Sequence, residues 1–257
     1  MKVHFIGIGG IGLSALARFL NFDGHEISGS DMKSSLITKA LEDEGIKVSC
    51  PQSASNIQDD FDLVIYSAAV TDENPELIEA RLKQIRTLSR KEALPIILGD
   101  KKNYCVAGAH GKSTTTAILA SILESSALIG AISKDFGSNF RYVNKLIAFE
   151  ADESDASFLL SNPYCAIVTN AEPEHMEYYH YDYDKFYGSY ERFISLAKKR
   201  VVNGEDKDIA KLKIEDATYL YPSKDIKNLC YTLKNNQPCT RFDLKDLGTF
   251  EVWGFGF

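Results

Sequence analysis

The sequence predicts an α/β fold made of two successive units, each of which opens with an apolar strand, a glycine-rich loop and a helix. Two stretches have this form, "KVHFIGIGGIG" near the start and "NYCVAGAHGKSTTT" near the middle. After each of them, apolar strand-like runs alternate with helical stretches, an order that indicates parallel sheets covered by helices. A chain of 257 residues is long enough for two such domains.

The bulk composition excludes several classes of function. The hydrophobic fraction of 44% and the charged fraction of 25% are typical of a soluble globular protein. The formal net charge of −7 gives no support for a nucleic-acid-binding protein, so local donors must hold any anionic ligand. Five cysteines without metal-like spacing indicate reduced thiols in the cytosol. No apolar run approaches the length of a membrane span, which predicts no stable membrane association.

The first glycine-rich loop has the pattern of a dinucleotide-binding turn. Gly7, Gly9 and Gly12 fit G-x-G-x-x-G, and a second strand, "HEISGSD", ends at Asp31. This order predicts a Rossmann-like βαβ unit in which a helix N-terminus binds phosphate. The usual ligand is NAD or FAD with Asp31 on a ribose hydroxyl, and a purely structural turn is the alternative. The strand "DLVIYSAAV" ends at Ser67–Ala69, where a further ligand group can approach.

A domain boundary is predicted near Leu98. The helical stretches "SSLITKALEDEG" and "ENPELIEARLKQ" complete the first domain, which we place at residues 1–98. The polar segment "GDKKN" then reads as a linker. A second domain of the P-loop ATP-binding type is predicted for residues 99–257.

The second glycine-rich loop ends like a phosphate-binding P-loop but is shorter. Two residues separate its glycines, where the usual pattern has four. Backbone N–H groups and the helix dipole favour an anion there, Lys112 can reach β- and γ-phosphates, and the Ser113 hydroxyl can bind Mg²⁺. The alternative is a glycine-rich helix start with an exposed lysine. The predicted nucleotide-binding residues are Gly108, Ala109, His110, Gly111, Lys112, Ser113 and Thr114.

Acidic residues follow the next apolar strand. "KLIAF" runs into "EADESD", which places four carboxylates within six residues. Divalent cations bind carboxylate oxygens beside phosphate, so this segment is a candidate metal site, and a solvated acidic turn is the alternative. The candidate ligands are Glu150, Asp152, Glu153 and Asp155.

A third strand, "CAIVT", ends at Asn170, and His175 follows shortly after. His175 is a candidate for a second metal ligand, although a lone histidine among tyrosines is more often structural. In open parallel sheets, ligands bind outside the carboxyl ends of the strands. The polar groups near Gly108, Glu150 and Asn170 are therefore expected to meet around a Mg²⁺–triphosphate.

Seven stretches together resemble the Mur ligases, ATP-dependent amide-forming enzymes of peptidoglycan synthesis. They are "HFIGIGGIG", "GSD", "YSAAV" followed by "NPE", "AGAHGKSTTT", "GSN", "EADESDASF" and "VTNAEPEHME". The short phosphate loop of that family, G-x-x-G-K-[ST]-T, has the form seen here. The resemblance extends from His4 to about Glu177, and the chain after Arg200 matches only loosely.

The resemblance changes the ligand expected in the first domain from NAD to a UDP-sugar. By position, it implies that the loop lies against the diphosphate and that Asp31 faces the uracil or its ribose. The substrate-binding residues that it implies in this domain are Gly9, Gly10, Ile11, Gly12, Asp31, Ser67 and Ala68.

The resemblance also implies roles in the second domain, where ATP is the expected nucleotide. Ser113 and Glu153 match the family's ligands of a first Mg²⁺, and His175 matches the ligand of a second metal. Asn139 and Arg141 lie where the family contacts the acyl substrate or phosphates. The residues expected to take part in catalysis are Lys112, Glu153, His175 and Asn170.

The implied activity is a bacterial cytoplasmic ligase that joins L-alanine to UDP-N-acetylmuramate through an acyl phosphate. Two alternatives stay open. One is a recycling ligase that adds a tripeptide to the same UDP-sugar, and the other is a non-catalytic nucleotide-binding protein.

The end of the sequence departs from the family, whose members continue into a third α/β domain. The chain stops in "LGTFEVWGFGF", so we expect it to be a fragment that binds substrates but is inactive alone. The large apolar residues at this end either face the third domain or complete a small sheet with two earlier segments. These residues are Phe250, Val252, Trp253, Phe255 and Phe257, and the two segments are Ala217–Tyr221 and Asn228–Leu233.

Overall fold

The computed structural model describes residues 1–99 and 101–253, and the first of its sheets is fully parallel. Its strands are β1 (Lys2–Ile6), β2 (Glu26–Ser30), β3 (Lys47–Ser49), β4 (Leu63–Tyr66) and β5 (Arg86–Ser89). The helices of this unit are α1 (Ile11–Phe22), α2 (Leu36–Asp43), α3 (Pro75–Leu82) and α4 (Arg90–Leu98). The strand order is β3-β2-β1-β4-β5, so the order reverses between β1 and β4. Ligands of open α/β sheets bind at such a switch point.

The second sheet has seven strands and is parallel except for its β7–β8 hairpin. The strands are β6 (Lys102–Ala107), β7 (Ser126–Ser133), β8 (Ser138–Arg141), β9 (Leu146–Glu150), β10 (Pro163–Val168), β11 (Lys199–Asn203) and β12 (Thr218–Leu220). The helices are α5 (Lys112–Ile122), α6 (Tyr183–Leu196) and the single turn α7 (Pro222–Asp225). β6 lies between β9 and β10 in the order β12-β11-β10-β6-β9-β7-β8. The carboxyl ends of these three strands are therefore adjacent, as the sequence predicted.

A small antiparallel sheet follows, made of β13 (Ile226–Lys234), β14 (Gln237–Leu244) and β15 (Gly248–Trp253). The expectation that the last apolar residues complete a small sheet is correct for the segment Asn228–Leu233, which lies in β13. It is wrong for Ala217–Tyr221, because β12 pairs in parallel with β11 instead. Phe255 and Phe257 lie outside the described residues.

Capping residues start most of the longer helices. Ser35 and Thr38 form a reciprocal capping box at α2, and Asn74 accepts hydrogen bonds from the first turn of α3. Among the described helices of eight or more residues, α1 and α5 are the two without a side-chain cap, since Gly10 and Gly111 occupy their N-cap positions. Their first-turn N–H groups are thus left for another acceptor, which an anionic ligand can supply.

A buried hydrogen-bond network joins α1 to the second sheet. The Asn139 amide on β8 donates to the Ser14 hydroxyl at 3.0 Å and to the Ile11 carbonyl, and its oxygen accepts from Arg18 at 2.7 Å. The Arg18 guanidinium also pairs with Glu44 at 2.7 Å. Asn139 is fully buried and Arg18 nearly so, which means that the network cannot be replaced by solvent.

The segment predicted as a linker is shorter than expected. In "GDKKN", Lys102 and Asn103 already belong to β6, and Asp100 lies outside the described residues. The strand tolerates the polar Asn103 because its amide donates to the carbonyls of Ser161 and Asn162. None of the helices in residues 1–99 and 101–253 combines the length and apolar content that a membrane span needs.

We expect Asn139→Ala to lower the free energy of unfolding by about 1–3 kcal/mol, because it removes the acceptor of Arg18 Nη1 and the donor to the Ser14 hydroxyl and the Ile11 carbonyl at a buried site. Urea denaturation followed by circular dichroism measures this loss. Asn144→Ala is the matched control, since Asn144 is an exposed asparagine whose side chain is also hydrogen bonded. An equal loss in both variants would contradict the structural role given to Asn139.

Candidate functional site

The second glycine loop, Gly108–Thr114, joins β6 to α5 and needs glycine at two positions. Gly108 has φ +140°, and a Cβ there would collide with the Thr169 hydroxyl and the Asn170 backbone. Gly111 has φ +81°, in the left-handed region. The loop therefore passes close to the end of β10 and leads into α5. The first backbone N–H groups of α5 have no side-chain cap.

Asn170 and Thr169, directly after β10, hold this loop by its backbone at His110. The Asn170 oxygen accepts from the His110 N–H at 3.0 Å, and its amide donates to the His110 carbonyl at 2.8 Å. The Thr169 hydroxyl donates to the same carbonyl at 2.7 Å. The structure thus brings Asn170 to the loop, where its contacts fix the loop's shape.

Lys112 lies beneath the loop and is held by three acceptors. Its Nζ donates to the carbonyls of Gly108 at 2.6 Å and Ala109 at 3.3 Å, and to Glu153 Oε1 at 2.9 Å. Burial raises the pKa of Glu153, and the Lys112 charge and hydrogen bond offset only part of that rise. The other oxygen, Glu153 Oε2, is buried without a partner among the described residues.

Glu150 joins the first turn of α5 to β7. Its Oε1 accepts from the Ser113 hydroxyl at 3.0 Å, and its Oε2 accepts from the Gly130 N–H at 2.8 Å. One hydroxyl and two carboxylates, Glu150 and Glu153, therefore flank the phosphate loop. These are the oxygen ligands that Mg²⁺ prefers, and the unpartnered Glu153 Oε2 fits such an ion. The described residues contain no group of three His, Cys, Asp or Glu side chains suited to a metal, so phosphate oxygens would have to complete the coordination.

The first glycine loop is tied to the end of β2. The N–H groups of Gly7 and Ile8 donate to the Ser30 carbonyl at 2.8 and 3.0 Å, and the Gly9 N–H donates to Asp31 Oδ2 at 2.9 Å. A Cβ on Gly9 would lie 2.8 Å from that carboxylate oxygen. Asp31 and the loop border a cavity of about 780 Å³, which also reaches the start of α3.

A second cavity, of about 390 Å³, lies between the two units and is lined by both loops. We call it the shared cleft. The first unit contributes Gly10, Ile11, Gly12, Ser67, Ala68 and Arg90, and the second contributes Lys112, Gly130, Glu150 and Asp152, among others. The shared cleft can therefore hold one ligand at the first loop in reach of another at the second.

Comparison with known proteins agrees with this arrangement. The model of the Mur ligase family, catalytic domain, matches residues 2–102. UDP-N-acetylmuramate–L-alanine ligase of Campylobacter curvus is 57% identical over 256 residues, 99% of this chain and 58% of that protein. The chain carries a Mur ligase family domain. The family match includes the first loop, and the Campylobacter relative covers both loops.

Other relatives extend the likeness. UDP-N-acetylmuramate–L-alanine ligase of Helicobacter pylori is 48% identical over 99% of this chain and 57% of its own length. The crystal structure of UDP-N-acetylmuramate-alanine ligase from Thermotoga maritima superposes with a TM-score of 0.81 at 28% identity, over 98% of this chain and 60% of that one. The chain thus spans somewhat under two thirds of the length of these relatives.

Three residues predicted for the Mur ligase site lie elsewhere or make other contacts. The Asn139 side chain is taken up by α1, and the Arg141 guanidinium donates to the carbonyls of Ala120 and Ser125 at the end of α5. Thr114 is exposed and borders a different cavity, beside the small antiparallel sheet. The substrate-binding roles of Asn139 and Arg141 and the nucleotide-binding role of Thr114 stay predictions.

Two members of the acidic and histidine set are also not brought to the loop. Asp155 accepts from the Ser157 N–H at 2.9 Å and so shapes the turn after the acidic segment. His175 is exposed, and its backbone carbonyl accepts a hydrogen bond from the Tyr178 N–H at 3.3 Å. The role of His175 at a second metal stays a prediction.

Arg90 is the charged residue of the shared cleft that the sequence analysis missed. It is the first residue of α4, directly after β5, and its Nη1 lies 3.9 Å from Asp152 Oδ2. Ser89 and Glu92 form a reciprocal capping box around it. The S-x-x-E pattern was available in "SRKE" and would have placed an arginine at the carboxyl edge of the sheet.

The raised pKa of Glu153 gives a pH-dependent prediction for Mg²⁺-free protein. An acid with a raised pKa in the folded state stabilises the fold fully below its ordinary pKa of 4.5, and this contribution is lost as the pH rises through the folded value. We therefore expect the unfolding free energy of the parent minus that of Glu153→Gln to fall as the pH rises above about 4.5. Glu215→Gln, at an exposed site, controls for the change of charge. A difference that rose with pH would contradict the assignment.

Proposed function

We propose that this chain binds UDP-N-acetylmuramate at the first loop and ATP with Mg²⁺ at the second, as part of a ligase that adds L-alanine to the sugar nucleotide. The shared cleft carries this proposal, because it joins the first loop to Lys112 and Glu150 of the second. The relatives at 57% identity bear the name of that ligase. Because these relatives are bacterial and UDP-N-acetylmuramate and ATP are both nucleotides, we place the reaction in the bacterial cytoplasm.

The proposed chemistry has two steps. A muramate carboxylate oxygen attacks the γ-phosphorus of ATP, the bond to the bridging oxygen breaks, and an acyl phosphate and ADP result. The amino group of L-alanine then attacks the acyl carbon, loses a proton, and displaces inorganic phosphate. Neither step requires a nucleophile from the protein, so the chain contributes position and charge.

Lys112 is the main charge that the chain supplies at the phosphates. In the ligand-free protein it donates to Glu153 and to loop carbonyls, and an arriving phosphate would take over some of these hydrogen bonds. Ser113 with Glu150 or Glu153 would hold Mg²⁺, which supplies positive charge to the transferred phosphoryl group. The uncapped first turn of α5 adds N–H donors at the same place.

The alternatives have weaker support. A tripeptide-adding ligase from Neisseria meningitidis shares the fold with a TM-score of 0.78, but its 24% identity speaks for the fold alone. A non-catalytic nucleotide-binding protein would also use Lys112 and Ser113, but it has no evident need for a second ligand's loop on the same cleft.

Ligand-dependent thermal stabilisation tests the proposal directly. UDP-N-acetylmuramate and ATP–Mg²⁺ should each raise the unfolding temperature, because a ligand that binds only the folded state at a hundredfold excess over Kd adds about 2.7 kcal/mol. NAD should have no effect. Stabilisation by NAD together with no response to UDP-N-acetylmuramate would overturn the assignment of the first loop. Binding is the suitable readout, since the chain spans 58% of the Campylobacter relative.

Lys112→Ala should weaken ATP–Mg²⁺ binding by at least about tenfold, the cost of losing a charge-assisted hydrogen bond to phosphate. Binding of UDP-N-acetylmuramate should change much less, which separates loss of the phosphate contact from loss of the fold. Isothermal titration calorimetry measures both. The control is Lys185→Ala, which removes an exposed lysine of α6 that borders neither the shared cleft nor the other cavity lined by Ser113. Parent-like ATP affinity in Lys112→Ala would show that the second loop does not bind the nucleotide.

A further inference from the structure

Arg90 is a cation at the first loop that makes no hydrogen bond through its side chain to the residues that the structure describes. Its side chain is 23% exposed and lines the shared cleft. The guanidinium lies over Gly12, because a Cβ on that glycine would be 3.1 Å from Arg90 Nε and 3.4 Å from Nη2. Glycine at this position therefore keeps space between the second residue of α1 and the arginine.

The polar interactions of the Arg90 side chain with the described residues are weak. Its Nε is buried and has no hydrogen-bond partner among the described residues. Its ionic neighbour is Asp152 at 3.9 Å, too far for a hydrogen bond. Lys112, by contrast, has a direct hydrogen bond to Glu153 at 2.9 Å. A buried donor without an acceptor is costly, so an acceptor from a ligand would be strongly favoured.

The surroundings of Arg90 suit an anion that is shared with α1. The first turn of α1 has no side-chain cap, and Gly10, Ile11 and Gly12 border the same cleft. An anion seated there meets backbone N–H groups on one side and a planar guanidinium on the other. Arginine binds phosphate and carboxylate oxygens with two parallel hydrogen bonds, which a lysine cannot do.

We propose that the Arg90 guanidinium binds the diphosphate of the sugar nucleotide, opposite the first turn of α1. This inference rests on the proposed function, in which a UDP-sugar occupies the first loop. The Arg90 guanidinium lies above Gly12, and this position favours the diphosphate as its ligand. The muramate carboxylate is less suitable, because it must reach the γ-phosphate near Lys112. A carboxylate with both oxygens held by Arg90 would also be a poorer nucleophile.

The proposed contact of Arg90 with the diphosphate also indicates a role for the neighbouring residue Asp152. The Asp152 carboxylate lies beside the Arg90 guanidinium and offsets part of its charge before a ligand arrives. Its distance of 3.9 Å leaves the guanidinium free to turn toward phosphate.

The test measures the affinity of the 257-residue chain for three probes by calorimetry: UDP, UDP-N-acetylglucosamine and UDP-N-acetylmuramate. All three carry the diphosphate, and only the last carries the carboxylate. The variants are Arg90→Gln, which removes the charge, and Arg90→Lys, which keeps it but removes the planar fork. Arg86→Gln is the matched control, because Arg86 is an exposed arginine at the other end of β5.

We expect Arg90→Gln to weaken binding of all three probes by a similar factor, about 10- to 100-fold, and Arg90→Lys to weaken it less. Arg86→Gln should bind like the parent. ATP–Mg²⁺ affinity should stay within about twofold of the parent in every variant, which shows that the fold is intact.

Two results would overturn the inference alone: parent-like binding by Arg90→Gln, or a loss confined to UDP-N-acetylmuramate, which would assign Arg90 to the carboxylate. A parent chain that bound none of the three probes would overturn the proposed function, and this inference with it.

Discussion

The hydrogen bonds of Asn139 to the first turn of α1 set the geometry on which the rest of the site depends. They connect β8 of the second sheet to Ile11 and Ser14, residues at the start of the helix that borders the shared cleft. Each of the two sheets carries one glycine loop, and Phe19 and Phe22 of α1 also pack against Phe140 and Tyr142 of the second unit. Because the bonded groups are buried, water cannot replace them, and the loops keep a fixed separation. Transfer of a phosphoryl group between ligands on two loops requires such a fixed separation.

The acidic segment after β9 serves both loops with adjacent residues. Asp152 faces Arg90 beside the first loop, and Glu153 is hydrogen bonded to Lys112 beneath the second. The sequence indicated metal ligands in this segment, and the structure adds a second role as counter-ions. A protein with a net charge of −7 can thus present two cations to anionic ligands. Each of these cations has a carboxylate neighbour before the ligand binds. When a ligand binds, its phosphate then replaces the carboxylate as the partner of the cation.

Local patterns predicted the fold well, because strand–loop–helix order, glycine spacing and apolar runs are short-range features. The adjacency of Gly108, Glu150 and Asn170 followed from the rule that parallel strands end at one edge. The pairing of β12 with β11 did not follow, because a short strand such as Thr218–Leu220 has no signal for its partner. The contacts of Asn139 with α1 could not be predicted for a related reason. Its partners on α1 are more than 120 residues away, and no local pattern encodes them.

Arg90 shows why a search for sequence motifs can miss a residue of the site. Neither glycine loop contains it, and its helix begins with an ordinary capping box. What brings it to the cleft is the strand order β1-β4-β5, which puts the end of β5 beside the switch point. A cation at that edge meets the uncapped first turn of α1, where N–H donors already favour an anion. The first loop and Arg90 are therefore complementary halves of one anion site, and only the sheet topology joins them.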